Sequence, residues 1–191
     1  GWQDQRVEFQ DWARLKPTLP LQFMPLLTLP DGQKIHQADA MERWAAKKVG
    51  LYPADPDDAL FVDEMISTVY EIRSKAPRSS SVVTKAMLPD LYTDYLSQTC
   101  KMYLDYIQER IAGPFFRGDE LCVADLSLYM LITTMVNGEA PLIPTNYVDG
   151  WPRITAHYAA VKAHPIVQAY DAAYATRTDA IDQVKDQVGR M

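Results

Sequence analysis

Apolar and polar residues alternate at the start of the chain, and further on the apolar positions follow a helical rhythm. Gln5-Arg6-Val7-Glu8-Phe9 alternates and predicts a short half-buried strand. Gln10 to Lys16 reads as a short helical or loop segment, closed by Pro17 and Pro20. Met24-Pro25 then interrupts an apolar stretch. Proline has no amide proton and is excluded from central strands, so by itself Pro25 reads as an edge-strand or loop residue. Leu26 to Leu29 predicts a strand, Pro30-Asp31-Gly32-Gln33 its turn, and Lys34-Ile35-His36 the returning strand. Gln37-Ala38-Asp39 opens a helix over Asp39 to Lys48, with Ala40, Met41, Trp44 and Ala45 at inward spacing and Gly50 as its stop.

The pattern changes after Gly50. Leu51 to Asp58, with two prolines and three aspartates, reads as a linker. Ala59 to Lys75 carries Leu60, Val62, Met65, Ile66, Val69 and Ile72 at helical spacing. Ala76 to Val83 holds Pro77 and three serines and predicts a kink or loop. Pro89 to Ala112 predicts a long amphipathic helix, and Val123 to Val136 a buried central one. Trp151 to Ala163 and Pro165 to Tyr174 predict two more, broken at His164-Pro165. No internal repeat or low-complexity tract occurs. The organisation expected is therefore an α/β unit over 1–50, a linker over 51–58 and an all-helical domain over 59–191.

Composition narrows the function classes. The chain has 191 residues, 48% hydrophobic and 23% charged, enough for one or two domains with a sizeable core. A net charge of −6 argues against a nucleic-acid surface, which needs clustered basic residues. No apolar run reaches the length of a membrane span. Cys100 and Cys122 lie far apart, and no His, Cys or carboxylate cluster has metal-ligand spacing, so no metal is expected. Two thiols with no signal peptide fit a reducing compartment, most simply the cytoplasm. A glycine-rich phosphate loop and a GxSxG elbow are both absent from the sequence.

Several stretches in order carry a resemblance. "DQRVEFQDWARLKPTLPLQFMPLL" followed by "DGQKIHQADAMERWAAKKVGL" resembles the glutathione-binding domain of cytosolic glutathione transferases. Within that family it is similar to the sigma class, which includes glutathione-dependent prostaglandin D synthases and cephalopod lens crystallins. "GPFFRGDELCVADLSLY" resembles the family's buried-helix start, and "WPRITAHYAAVKAHPIVQAY" its penultimate helices. The resemblance implies a fold of α/β plus all-α class: a truncated thioredoxin-like unit, then a helical bundle of the glutathione transferase type.

It also implies a site for glutathione. Pro25 matches a cis-proline that lets the Met24 backbone pair with the cysteinyl unit of the tripeptide. Trp12 and Lys16 match the positions that contact the glycyl end, where an indole N–H and an ammonium complement a carboxylate. On residue chemistry alone, Trp12 reads equally as a packing residue and Lys16 as a solvated one. Gln37-Ala38 matches a Gln-Ser or Gln-Thr pair that holds the γ-glutamyl carboxylate at a helix start. The hydroxyl is missing in Ala38. Glu71 is the candidate for an acidic residue reaching across a dimer to the γ-glutamyl amine; it also stands at i,i+4 from Lys75 and reads as an exposed ion pair. Cys122 stands where the family has Ser or Thr as a helix cap, with Asp125 completing a capping box.

In the family a strand and helix ahead of these elements carry the catalytic tyrosine, serine or cysteine. Gly1-Trp2-Gln3 matches the end of that helix, so the resemblance implies either a segment ahead of this sequence or another chain that covers its place, and it assigns no catalytic residue in this chain. Two functions remain open. One is transfer of the glutathione thiol to a small apolar electrophile, with glutathione as co-substrate and a pocket lined by the Tyr- and Met-rich helical domain. The other is a non-catalytic scaffold or structural subunit. The expected assembly is a homodimer or a place in a larger complex.

Overall fold

A computed structural model describes residues 3–173. The chain divides into two compact units, Gly1–Gly50 and Leu51–Met191.

In the first unit α1 spans Phe9–Leu15, and a single turn of 3-10 helix over Lys16–Thr18 follows it. The alternating stretch Gln5 to Phe9 is not a strand: residues 3 to 8 are irregular and Phe9 begins α1. Alternation describes how a strand would present its faces, but a strand also needs a partner for its amides and carbonyls. A two-stranded antiparallel sheet follows, β1 over Leu27–Thr28 and β2 over Lys34–Ile35, with Leu27 opposite Ile35 and Thr28 opposite Lys34. The turn uses the chemistry that its sequence offers. The Gly32 amide donates to Leu29 (2.9 Å), the Asp31 carboxylate accepts from the Gln33 amide (2.9 Å), and Gly32 takes φ +86°.

α2 spans Ala38–Val49 and stops at Gly50 in the left-handed conformation, whose amide donates to Ala46. The inward face differs from the one that apolar spacing suggests. Ala46 is buried, whereas Ala40 and Ala45 are exposed and Trp44 is 45% exposed with the Lys48 ammonium 5.8 Å from its ring centre. The stem of a lysine and a large ring shield each other at a surface, which makes an outward Trp44 tolerable.

In the second unit α3 spans Pro56–Lys75 and begins earlier than the apolar rhythm does. Asp55 caps it, accepting from the amides of Asp57 (2.9 Å) and Asp58 (3.1 Å), and Pro56 sits where a missing amide costs nothing. Val62, Met65, Ile66, Val69 and Ile72 are buried, while Leu60 is 70% exposed. The long helix expected over Pro89 to Ala112 is composite: α4 over Leu88–Asp94, a wider π-helical segment over Tyr95–Cys100, and α5 over Lys101–Arg110. Its buried positions are Tyr95, Cys100, Leu104 and Ile107.

α6 spans Val123–Val136 and is the central helix, buried on more than one side by Ala124, Leu128, Leu131, Ile132 and Met135 among others. It packs against both α3 and α7, which spans Pro152–Ala163; α5 also packs on α3 and α7. A further helical run covers 165–173, after a break at His164. Its Tyr174 end, like Gly1 and Trp2, lies outside the described residues. A second cluster of Phe115, Tyr129, Val161 and Val167 closes the far side, with Tyr129 stacked on Tyr158 at 5.1 Å. Among the described residues no helix is long and apolar enough to cross a membrane.

Candidate functional site

The hairpin of the first unit brings two separated dipeptides together. Beyond the Leu27–Ile35 pair the ladder ends, with Met24-Pro25 on the arm before β1 and Gln37-Ala38 where β2 passes into α2. The rings of Phe23 and His36 meet edge to face at 5.3 Å, so the two arms stay adjacent beyond the ladder. The Met24-Pro25 bond is cis. Among the described residues neither the amide nor the carbonyl of Met24 enters a backbone hydrogen bond. Nor does either ring nitrogen of His36 have a partner, although both are shielded from water.

Gln37 precedes the first turn of α2 with φ +77° and ψ +107°, a conformation that side-chain-bearing residues rarely adopt. Such outliers persist where the surroundings over-determine them, and they cluster at ligand sites. The Gln37 carbonyl accepts the Met41 amide at 3.2 Å, while its side-chain amide bonds to no other described residue. Ala38 is exposed and starts the helix, where the first amides have no partner within it. No signal in the sequence announced the Gln37 dihedral angles, because they are a property of how strand and helix join.

Trp12 and Lys16 share one side of α1, since the Lys16 amide donates to the Trp12 carbonyl across one turn. Trp12 is half-buried and Lys16 exposed, with no carboxylate on its ammonium among the described residues. Arg14 on the same helix is taken by Asp11 at 3.1 Å.

Glu71 lies in the other unit, on α3. Its Oε2 receives the Lys75 ammonium at 2.8 Å and the Tyr103 hydroxyl at 3.2 Å. The hydrogen bond from Lys75 is the main reason that its carboxyl is held below the usual range, with the Tyr103 hydroxyl adding to it. Both contacts fall on one oxygen.

Cys122 and Asp125 form the start of α6 as a reciprocal capping box. The Asp125 carboxylate accepts the Cys122 amide (2.7 Å) and, through its other oxygen, the Phe116 amide (2.8 Å). The latter oxygen also lies 2.8 Å from Nε2 of His157, which the sequence pattern did not single out. Asp125 and His157 are both buried. A buried carboxylate with three partners serves as a structural clasp between the loop before α6 and α7. Burial, then the neighbouring Asp125 charge, pushes the Cys122 thiol up to about 12. Burial likewise raises the Cys100 thiol. Both cysteines are free and buried, and the same burial that raises their thiols disfavours the thiolate form. Among the described residues no group of His, Cys, Asp and Glu is arranged to hold a metal ion.

Comparison with known proteins bears on what these features serve. Residues 79–173 match the family model described as "Glutathione S-transferase, C-terminal domain". The chain is 22% identical to the S-crystallin SL11 of Nototodarus sloanii over 174 residues, covering 88% of this chain and 82% of that protein. It is 43% identical to a glutathione S-transferase of Anopheles gambiae, but over 72 residues, which span 38% of this chain and 35% of that one. Among solved structures, a prostaglandin synthase D of Nilaparvata lugens superposes with a TM-score of 0.74 at 26% identity, over 87% of this chain and 82% of the other.

Proposed function

The chain is a member of the glutathione S-transferase family, whose C-terminal domain it carries over residues 79–173, and from that premise we propose that it binds glutathione and transfers its thiol to small apolar electrophiles. The observation that carries this reading is the Phe23–His36 ring contact at 5.3 Å, which holds the arm leading into Met24-Pro25 beside the arm leading into Gln37-Ala38 at the start of α2.

Each part of the tripeptide has a complementary group. The free amide and carbonyl of Met24 pair with the cysteinyl unit as a strand would. The Gln37 side chain and the first amides of α2 take the γ-glutamyl carboxylate, for which a helix start supplies unpaired donors and a favourable dipole. Trp12 on α1 and Lys16 just past its end, one turn on, take the glycyl carboxylate through an indole N–H and an ammonium. Glu71 of a second copy takes the γ-glutamyl amine, for which its Oε1 stays open while Oε2 holds Lys75 and Tyr103. Ala38 lacks the hydroxyl of a Ser or Thr, and one hydrogen bond to a charged group is worth about 1.5–3 kcal/mol, so binding is weak.

In the reaction the bound thiol gives its proton to water and the sulfur pair bonds to an electrophilic carbon; either a leaving group departs with its bonding pair, or the π pair shifts to the adjacent atom, which takes up a proton from water. None of the residues named above is given the thiolate-stabilising role. The protein acts as a homodimer or within a larger assembly, to which the exposed Leu60 on α3 contributes apolar surface. Its two free thiols suit the cytoplasm.

Calorimetry with glutathione tests the reading. Binding near about 1 mM is expected for the unaltered chain, weakened several-fold in Lys16→Ala and in Gln37→Ala. Heat that neither substitution changes, or no heat at all, overturns it. Ala38 and the double engagement of Glu71 favour a second reading, a scaffold without activity. Glutathione binding without conjugation of any electrophile would select that one.

A further inference from the structure

The helical unit holds a cavity of about 220 Å³ between the last turn of α3, the junction of α4 with the π-helical segment, and the C-terminal half of α6. That is below the ~300–1,000 Å³ of drug-sized sites, so its occupant is small. Ile72, Leu131 and Met135 give it an apolar wall, and Tyr92 lines it with a hydroxyl that has no partner among the described residues. Its two charged lining residues are Arg73 and Arg78, both exposed at its edge.

These arginines are unusual in a chain of net charge −6. Arg78 donates one N–H to the Arg73 carbonyl at 3.3 Å, which covers the end of α3 and leaves the rest of its planar fork unused. Neither guanidinium has a carboxylate partner among the described residues, and no Asp or Glu lines the cavity. The acidic residue closest in sequence, Glu71, is already occupied by Lys75 and Tyr103. Two unpaired guanidinium groups beside an apolar wall repel cations and match the bidentate geometry of a carboxylate.

We propose that this cavity binds the co-substrate and that the co-substrate is a carboxylate: an aromatic ring or short chain against Ile72, Leu131 and Met135, its carboxylate on Arg73 and Arg78, and the Tyr92 hydroxyl as a third donor. The assignment rests on the thiol-transfer reading only in calling the ligand a co-substrate. The binding itself needs no glutathione.

The test uses the full chain without glutathione and titrates it with 4-phenylbutanoate and with its uncharged amide. The carboxylate is expected to bind about tenfold tighter than the amide. In the double variant Arg73→Gln/Arg78→Gln that preference disappears while the amide binds as before. Equal affinities in the unaltered protein overturn the proposal, as does a preference that survives in the double variant, or absence of carboxylate binding by protein whose circular dichroism is intact. A second arm compares conjugation of a carboxylate-bearing enone with its methyl ester. Carboxylate binding with neither enone conjugated leaves the site standing and removes the thiol-transfer reading; conjugation that favours the ester removes the site and leaves the transfer.

Discussion

The two units divide the work of the molecule unequally. The helical unit buries nearly all of the apolar core, from Val62 on α3 to Val161 on α7, with a buried Asp–His clasp at its centre. In the N-terminal unit Leu19 and Ala46 are the buried apolar residues among those described, and Phe9 is 84% exposed. Yet that sparsely buried unit carries most of the proposed glutathione contacts. The contrast separates what stabilises a fold from what recognises a ligand. The proposed recognition relies on backbone groups, a strained Gln37 and a helix start, none of which needs a large core.

The largest expected effect lies at the clasp. Asp125→Ala removes the acceptor for the Cys122 and Phe116 amides and strips His157 of its described partner, all in a buried setting. Leaving a buried donor without its acceptor costs roughly 1–3 kcal/mol for each group, read as a lower midpoint in chemical denaturation followed by circular dichroism. A change below about 1 kcal/mol would mean that the clasp is not structural.

Next comes a matched pair of truncations. Leu128→Ala in the centre of α6 should cost about 2–5 kcal/mol through lost burial and the cavity left behind. Leu27→Ala, half-buried in β1, should cost about 1 kcal/mol in the same experiment. Equal costs would break the contrast between the units.

Gln37→Gly sharpens it. Glycine tolerates φ +77°, so relief of strain opposes the entropy of the freer chain, and stability should stay level or rise by about 1 kcal/mol. Glutathione binding should fall several-fold in the same variant, since the side-chain amide is gone. A variant that loses stability and keeps its affinity would show that Gln37 serves the fold instead of the ligand.

The smallest effect is expected at Glu71. Its carboxyl is held low by Lys75 and then Tyr103, so its ionised form favours the folded state. That contribution is present above the ordinary glutamate value of about 4.3 and is lost as pH falls through the lower folded value. The difference in midpoint between Glu71→Gln and the unaltered protein should therefore be small at neutral pH and vanish in acid. A difference that grows in acid would reverse the assignment.

Much of this architecture is local and could be read from residue order. The Pro30-Asp31-Gly32-Gln33 turn, the Gly50 stop and the rhythm of Val62, Met65, Ile66, Val69 and Ile72 all depend on neighbours within a few positions. So does the Glu71–Lys75 pair, whose spacing is one helical turn. Asp55-Pro56 held the true start of α3 in plain chemistry, although the apolar rhythm pointed further on. Tertiary structure decided the rest. Gln5 to Phe9 has the alternation of a strand but is irregular, because alternation cannot supply a hydrogen-bonding partner. The inward face of α2 turned to Ala46 since spacing fixes which residues share a face but not which face is covered. The π-helical segment over Tyr95–Cys100 anchors on a Tyr95 hydroxyl bonded to the Ile72 carbonyl at 2.7 Å. The Asp125–His157 pair and the arginine-edged cavity join residues far apart along the chain, and only folding sets the distances on which their charge and hydrogen-bond energies depend.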